Sequence, residues 1–258
     1  MHVFTLHRGT APLLVSLPHD GIALPEDLAN RMTPEARGVP DTDWFVGRLY
    51  DFARRLGASI LVPVYSRYVV DLNRPPDDLS LYPGQNTTGL CPVQRFTGEP
   101  VYLPGQEPSA EEVAARVECY WRPYHCALAG ELERLRAAHA RAVLWEGHSI
   151  RSTVPFLFEG RLPDLNLGTS AGASCTAATQ ARIESVLAAQ HDYSWVANGR
   201  FKGGYITRHH GRPGEGVEAV QLELAQSTYM DETTGRYQPE RAAKVQALVE
   251  RLLDAAKG

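Results

Sequence analysis

The stretch PLLVSLPHDG, residues 12–21, is the first sign of the fold. Its apolar run, residues 12–17, has the length of a buried β-strand and is too short to cross a membrane. Pro18, His19 and Asp20 follow it. Further apolar runs predict strands at residues 59–64, 68–72, 141–145, 193–197 and 219–224. Amphipathic patterns predict helices at residues 41–56, 109–140, 174–190 and 239–257. This alternation predicts an α/β fold, with a mixed, largely parallel sheet flanked by helices in a single domain over residues 1–258.

The helical patterns carry start and stop signals. Asp41 or Asp43 could cap the first helix. Ser109 and Glu112 have capping-box spacing at the start of the second helix, and Pro123 predicts a kink or break inside it. The last pattern is typical of a closing surface helix.

Residues 75–108 form a long excursion crowded with proline and glycine, and they show no helical or alternating period. Loops of this length inside a compact domain are commonly lids or binding loops. A surface insertion without a function is an equally open interpretation. The sequence does not decide between the two.

Composition narrows the class of protein. A hydrophobic fraction of 43% and a charged fraction of 22% are those of an ordinary globular chain. The net charge of −4 comes from scattered charges of both signs, which argues against nucleic acid or a membrane surface as a partner. With no export signal and no paired cysteine spacing, we expect a cytoplasmic protein with free thiols. Nothing indicates an oligomeric state.

Polar residues cluster at the ends of the predicted strands. Ligands of open α/β sheets bind at the carboxyl ends of strands, so these residues are candidates for a site. They are of the types that bind metals or transfer protons, and comprise His19, Asp20, Asp71, Asn73, Arg74, Glu146, His148 and Glu223.

A metal site is the strongest interpretation of this set. His19 and His148, with one carboxylate, form the ligand set of catalytic zinc sites, so we expect a divalent metal, Zn²⁺. Asp43 is the preferred carboxylate, and Asp41 remains an alternative because either could simply cap a helix. Glu146 could instead fix the ring orientation of His148. Either histidine alone would more often be structural.

Glu223 is the predicted general base. It alternates with apolar residues in the strand at residues 219–224, so the strand has one polar face. That face could be a solvated edge. A hydrolytic metal site also needs a group that takes a proton from the attacking water and returns it to the leaving amine, and glutamate commonly does so.

Residues 198–211, NGRFKGGYITRHHG, predict an anion-binding wall. Glycines let backbone approach a ligand, and arginine has a planar fork that suits carboxylates. We expect substrate contacts from Tyr205, Arg208 and His209 in this segment, and from Asn73 and Arg74 at another strand end. A solvated basic loop is the alternative. Nucleophile elbows and phosphate-binding loops are absent from the sequence.

The chain resembles the N-formylglutamate deformylase (N-formylglutamate amidohydrolase) family over nearly its whole length. The matching strings are SLPHDG (16–21), DTDW (41–44), VVDLNR (69–74), GHSIRS (147–152), LPDLNLGT (162–169), NGRFKGGYITRHHG (198–211) and QLELAQSTYM (221–230). The resemblance implies a zinc-peptidase-like (phosphorylase/hydrolase-like) α/β fold. It also implies a metal held by His19, Asp43 and His148, with Glu223 assisting catalysis.

The implied reaction is metal-dependent hydrolysis of N-formyl-L-glutamate to formate and L-glutamate, a step of histidine degradation. Arg74 and the Arg208 loop would hold the two carboxylates of this small-molecule substrate. The family pattern has aspartate and cysteine where this chain has Glu146 and Gly147, and tyrosine where His210 stands. The alternatives are a related zinc amidase acting on another N-acyl acidic amino acid or peptide, and a non-catalytic metal- or ligand-binding protein.

Overall fold

The fold is built on one large sheet. The structure, a computed structural model, describes residues 2–81 and 84–258. The strands of the sheet are β1 (Phe4–His7), β2 (Leu13–Ser16), β3 (Ser59–Pro63), β4 (Ala142–Ile150), β5 (Leu165–Gly168), β6 (Trp195–Ala197) and β7 (Val217–Ala225). Their order is β1-β3-β2-β4-β7-β5-β6. β8 (Met230–Asp231) and β9 (Arg236–Tyr237) form a separate antiparallel pair.

The sheet is mixed and mostly parallel, which confirms the predicted fold class. β2 pairs in parallel with β3 and β4, β4 with β7, and β5 with β6, whereas β1 and β5 run antiparallel to β3 and β7. The α-helices are α1 (Glu26–Ala29), α2 (Pro34–Arg37), α3 (Val46–Leu49), α4 (Ala110–Arg116), α5 (Arg122–His139), α6 (Ala177–Ala188), α7 (Tyr205–His210) and α8 (Pro239–Lys257). The central parallel strands bring their carboxyl ends to one edge of the sheet.

Apolar layers cover both faces of the sheet. Leu13, Val15 and Trp145 pack with residues of α3, α6 and α8 on one face. Leu14 and Leu144 pack with residues of α5 on the other. Covered faces explain why the central strands are apolar without a clear alternation. Among the described helices, none is long and apolar enough to cross a membrane.

Most predicted strands are confirmed, at β2, β3, β6 and β7. The strand predicted at residues 141–145 continues to Ile150, so Glu146 and His148 lie inside β4 rather than after it. β1 and β5 were not predicted from the sequence. All nine residues of β4 are buried, so the side chains of Glu146 and His148 are enclosed within the protein.

The strand predicted at residues 68–72 is wrong. These residues form buried turns, with Val69 N donating to Ser66 O at 2.9 Å and Asp71 N donating to Leu90 O at 2.6 Å. Arg116 donates to the Val69 carbonyl at 3.1 Å. Because the backbone groups find partners in loops and in an arginine side chain, this apolar run is buried without joining the sheet.

The helix predicted at residues 41–56 is much shorter than expected. α3 begins after Phe45, whose φ of 64° breaks the helical path, and a 3₁₀ turn follows at Asp51–Arg54. Neither Asp41 nor Asp43 caps it, so that prediction is wrong. Asp20 instead accepts a hydrogen bond from Gly47 N at 2.9 Å. This arrangement leaves Asp43 available to the site.

The other predicted helices are confirmed. Ser109 caps α4, accepting from Glu112 N at 3.3 Å. A π-helical turn at Val117–Trp121 then separates α4 from α5 and directly precedes the turn with Pro123. The irregularity predicted from Pro123 is therefore present as a local π-turn, a common way of relieving a helix interior that cannot make its regular hydrogen bonds.

Candidate metal centre and its cavity

Histidine and carboxylate side chains meet at the carboxyl edge of the central strands. His19 follows β2, while His148 and Glu223 are register partners in the parallel pair β4 and β7. Side chains at paired positions of neighbouring strands point to the same face, so the sheet itself sets Glu223 beside His148. Asp43 reaches the same place from the loop before α3, with its backbone N donating to His19 O at 3.1 Å.

His19, Asp43 and His148 form a cluster that could hold a metal ion. Their ligand atoms lie within 4.8 Å of one another, and all three residues are buried. His148 Nδ1 is 2.9 Å and His19 Nδ1 is 3.7 Å from the same Asp43 oxygen, Oδ2. Two imidazole nitrogens and one carboxylate oxygen are a donor set that suits a catalytic zinc site.

Each histidine has a carboxylate behind it. His19 Nε2 lies 2.7 Å from Asp71 Oδ1, and His148 Nε2 lies 2.7 Å from Glu146 Oε1. A carboxylate on Nε2 favours a proton there and makes Nδ1, on the side of Asp43, the nitrogen that could bind a metal, as in the carboxylate–histidine pairs of metal sites. The contact between Glu146 and His148 matches the orienting role considered from the sequence. Asp71 has the matching position at His19.

Arg67 joins this group and was not identified from the sequence. It donates to Asp71 Oδ2 at 2.6 Å, and its NH1 lies 3.3 Å from His19 Nδ1 and 3.9 Å from Asp43 Oδ1. The arginine precedes an apolar run that predicted a strand. Arg67 reaches the cluster because residues 67–73 form turns, and the sequence pattern did not predict these turns.

The structure separates the two aspartates of DTDW. Asp41 accepts from Tyr68 Oη at 2.7 Å and from Phe96 N at 2.8 Å, so it anchors neighbouring loops. Asp43 lies in the histidine cluster and also accepts from Ser149 N at 3.1 Å. Geometry therefore favours Asp43 over Asp41 as the carboxylate of a metal site.

Burial and charge oppose one another in this cluster. Burial raises the pKa of Asp43, but the two histidines outweigh it and hold that pKa below its usual range. Burial lowers the pKa of His148, yet its hydrogen bonds to the Asp43 and Glu146 carboxylates and their negative charge prevail and raise that pKa well above its usual value. Burial raises the pKa of the Glu223 carboxyl. The surroundings thus favour a negatively charged Asp43 beside a positively charged group.

A cavity of about 600 Å³, including its open mouth, leads to the cluster, and we call it the catalytic cavity. Its described lining comprises His19, Asp43, Arg67, Asn73, Arg74, Asn86, Thr87, Thr88, Phe96, His148, Ser149, Ile150, Leu157, Arg200, Phe201, Gly204, Gln221 and Glu223. The excursion at residues 75–108 contributes four of these residues, so it forms part of the wall.

The predicted substrate-binding residues fall into two groups. Asn73 and Arg74 line the catalytic cavity, whereas Tyr205, Arg208 and His209 lie on α7 and are not among its described lining residues. Arg200, from the same glycine-rich segment, does line it. The segment therefore reaches the cavity through residues that precede α7, namely Arg200, Phe201 and Gly204.

The short helix α7 supports the cluster from behind. Thr207 donates to Glu146 Oε2 from its backbone N at 3.0 Å and also from its hydroxyl. Ile206 N donates to Asn73 Oδ1 at 2.9 Å. A Cβ on Gly204 would lie 2.3 Å from the Asn73 amide nitrogen, so glycine is needed for this approach. The helix thereby fixes Glu146 and Asn73, which both contact His148.

The buried His125 and the partly buried His210, which ends α7, make the fold sensitive to acid. Burial lowers the pKa of His125 and of His210 to about 3, from an ordinary value of 6.5. Their rings stack at 6.1 Å, and His125 Nε2 lies 2.9 Å from the Leu72 carbonyl. Both side chains are therefore neutral in the folded protein at pH values well above 3.

We expect His125→Gln to weaken the acid dependence of stability. Between pH 6.5 and about 3 the unfolded chain binds the His125 proton and the folded chain does not, so stability falls as pH falls through this window. In denaturant titrations from pH 6 to pH 4, the variant should lose about 1.4 kcal/mol per pH unit less than wild type. Equal slopes for the two proteins would contradict this assignment.

The fold and the cluster together define a mixed α/β protein with a candidate mononuclear metal centre at the carboxyl edge of its sheet. The model of the N-formylglutamate amidohydrolase family matches residues 11–230, and the chain belongs to this family. It is 52% identical to the N-formylglutamate deformylase of Pseudomonas putida and 54% identical to that of Pseudomonas aeruginosa, each over 254 residues. In both comparisons the match covers 98% of this chain and 95% of the relative.

Solved structures agree with this membership. The crystal structure of N-formylglutamate amidohydrolase from Ralstonia eutropha JMP134 superimposes with a TM-score of 0.83 at 26% identity, covering 99% of this chain and 97% of the other. A gene product of Agrobacterium tumefaciens gives a TM-score of 0.73 at 16% identity, covering 100% of this chain and 97% of that one. The second comparison supports the fold alone.

Proposed function

We propose that this chain hydrolyses the formyl amide of N-formyl-L-glutamate, releasing formate and L-glutamate. The observation that carries the proposal is the placement of Glu223 beside the His19–Asp43–His148 cluster, in a cavity that also presents Arg74 and Arg200. Family membership and two relatives named N-formylglutamate deformylase support the choice of substrate. Formate release by the purified protein, with N-acetyl-L-glutamate and N-formylglycine as comparison substrates, tests it.

A divalent metal, Zn²⁺, is the proposed cofactor, held by His19, Asp43 and His148. The carboxylates that contact the two histidines belong to Asp43, Asp71 and Glu146, and the guanidinium in contact with the cluster is that of Arg67. This excess of negative charge in a buried place favours a bound cation. Such an ion polarises a carbonyl group and makes water more acidic.

Glu223 is the proposed general base. Among the described residues, no side chain hydrogen-bonds its carboxylate, which lines the catalytic cavity 6% exposed. It is therefore available to take a proton from the attacking water as the new C–O bond forms at the formyl carbon. It then returns that proton to the glutamate nitrogen as the C–N bond breaks, so the proton count balances.

The cavity arginines are the proposed partners of the substrate carboxylates. Arg74 is fixed by donation to the Thr88 carbonyl at 2.9 Å, and Arg200 by donation to the Asn86 carbonyl at 3.1 Å. Asn73 adds an amide close to His148, with Nδ2 at 3.1 Å from Nε2. Substrate contacts from Tyr205, Arg208 and His209 stay predictions from the sequence, because the described cavity lining favours Arg200 instead.

We expect Arg74→Ala and Arg200→Ala each to lower kcat/KM for N-formyl-L-glutamate by about 10- to 100-fold, the cost of one lost charged hydrogen bond. One of the two arginines should bind the side-chain carboxylate of the substrate. For that arginine, the variant and wild type should have similar kcat/KM values with N-formyl-L-glutamine, which lacks this charge. Steady-state formate release measures both values. A loss in Arg208→Ala as large as in Arg200→Ala would instead support the prediction made from the sequence.

The proposed setting is histidine degradation in the cytoplasm, with the formylated amino acid as a free small-molecule substrate. The family resemblance supports this setting, and the scattered charge provides no basic stripe for nucleic acid. A related amidase acting on another N-acyl acidic amino acid would show the same site. The comparison substrates distinguish that case.

A further inference from the structure

A second cavity lies beside the catalytic cavity and is larger, with about 1310 Å³ of empty space against about 600 Å³. We call it the side cavity. It is lined by the DTDW loop, the Phe96 hairpin, the end of β4 with the loop after it, and the segment around β8. Phe96, Ser149 and Ile150 line both cavities and thus form the wall between them.

The side cavity offers an apolar surface. Its apolar lining includes Trp44, Ile150, Val154, Phe156 and Met230. Its charged groups already have partners. The Glu232 carboxylate accepts from Ser152 N at 2.7 Å and Ser227 N at 3.0 Å, while Arg151 donates to the Glu232 carbonyl and Arg95 pairs with Glu99. A short hydrocarbon chain fits such a lining better than a charged group.

Phe96 is held firmly in the wall. Its backbone N donates to Asp41 Oδ2 at 2.8 Å, and the hairpin that carries it is closed by Arg95 N donating to Glu99 O at 2.8 Å. The Arg67 guanidinium lies 4.8 Å from the centre of its ring. Because Arg67 also contacts His19 and Asp71, the ring stands next to the histidine cluster.

The wall residues and the arginines proposed to hold the substrate belong to different parts of the catalytic cavity lining. Arg74 is tied to Thr88, and Arg200 to Asn86 and Leu157, whereas Ser149 is tied to Asp43. With the substrate carboxylates at the arginines and the amide at the cluster, the apolar lining residues that border the side cavity, Phe96 and Ile150, are the ones that would limit the length of the acyl group. A formyl group ends there in a hydrogen atom, and any longer acyl group would meet the wall.

We infer that Phe96 restricts this enzyme to the formyl group, and that the side cavity is a latent pocket for short-chain acyl groups that opens when the ring is removed. The inference rests on the proposed function and deepens it. The reaction stays the same with a longer chain: water adds to the acyl carbon, the C–N bond breaks, and the nitrogen gains a proton. The products are L-glutamate and the short-chain carboxylate.

The test compares Phe96→Ala and the milder Phe96→Leu with wild type on N-formyl-, N-acetyl-, N-propionyl- and N-butyryl-L-glutamate. L-glutamate release gives kcat/KM for each. We expect the ratio of N-butyryl to N-formyl turnover to rise at least tenfold in Phe96→Ala, and less in Phe96→Leu. Phe158→Ala is the matched control, because Phe158 packs in the same apolar cluster but lines neither cavity.

Unchanged ratios in both Phe96 variants, with N-formyl turnover retained, would overturn the inference. An equal rise in Phe158→Ala would also overturn it, since general loosening of the cluster would then explain the gain. If Phe96→Ala does not fold, Phe96→Leu alone decides by the same ratio. Failure of the proposed function is distinct, because wild type would then release no glutamate from the N-formyl substrate.

Discussion

Glu223→Gln is expected to lower kcat for N-formyl-L-glutamate by about 10²- to 10⁴-fold, the usual contribution of a positioned general base. Glutamine keeps the shape of the side chain but cannot take a proton from water. Because Glu223 lies outside the His19–Asp43–His148 cluster, the bound metal should remain. Steady-state kinetics and metal analysis on the same preparation measure both quantities.

Glu218→Gln is the matched control for this variant. Glu218 is a buried glutamate of the same strand, but it accepts from Thr176 at 3.2 Å and pairs with Arg141, away from the catalytic cavity. We expect its kcat to stay near wild type. A Glu223→Gln enzyme with nearly full activity would show that another group moves the proton.

Asp43→Asn is expected to bind metal at least tenfold more weakly than wild type, because changes even in the groups that merely support ligands cost about 10- to 100-fold. Asp43 is the carboxylate shared by both histidines, at 2.9 Å from His148 and 3.7 Å from His19. Activity should fall with metal content. Titration against a competing chelator gives the affinity.

Asp41→Asn is the matched control, since it makes the same change two residues away in the same loop. Asp41 bonds Tyr68 and Phe96 rather than the histidines, so this variant should keep its metal affinity. It should lose stability instead, by about 1–3 kcal/mol for a buried hydrogen-bonded carboxylate. Metal loss in Asp41→Asn, with retention in Asp43→Asn, would reverse the proposed ligand assignment.

The strand-end argument found most of the cluster because it rests on how parallel strands align. His19, His148 and Glu223 follow or occupy strands whose carboxyl ends share an edge, so their proximity was predictable from residue order. The sequence favoured Asp43 as the ligand but left Asp41 open as an alternative. Both residues lie in the loop before α3 instead of in the predicted helix, and their side chains bond different partners.

The missed residues come from irregular segments. Arg67 occupies a buried turn before an apolar run that resembles a strand, and Phe96 and Arg200 reach the cavity from loops. Such positions depend on long-range packing of loops, which leaves no periodic pattern in the sequence. The sequence predicted Arg208 as a substrate contact, whereas Arg200 lines the cavity. Both arginines lie in the same glycine-rich segment, and no periodic pattern distinguishes them.

The most direct test of the central claim is formate release from N-formyl-L-glutamate by the purified protein, before chelation, after chelation, and after return of Zn²⁺. The account predicts turnover that is lost on chelation and restored by the metal, with much slower release of acetate from N-acetyl-L-glutamate. Absence of formate release from protein carrying one equivalent of metal would contradict it.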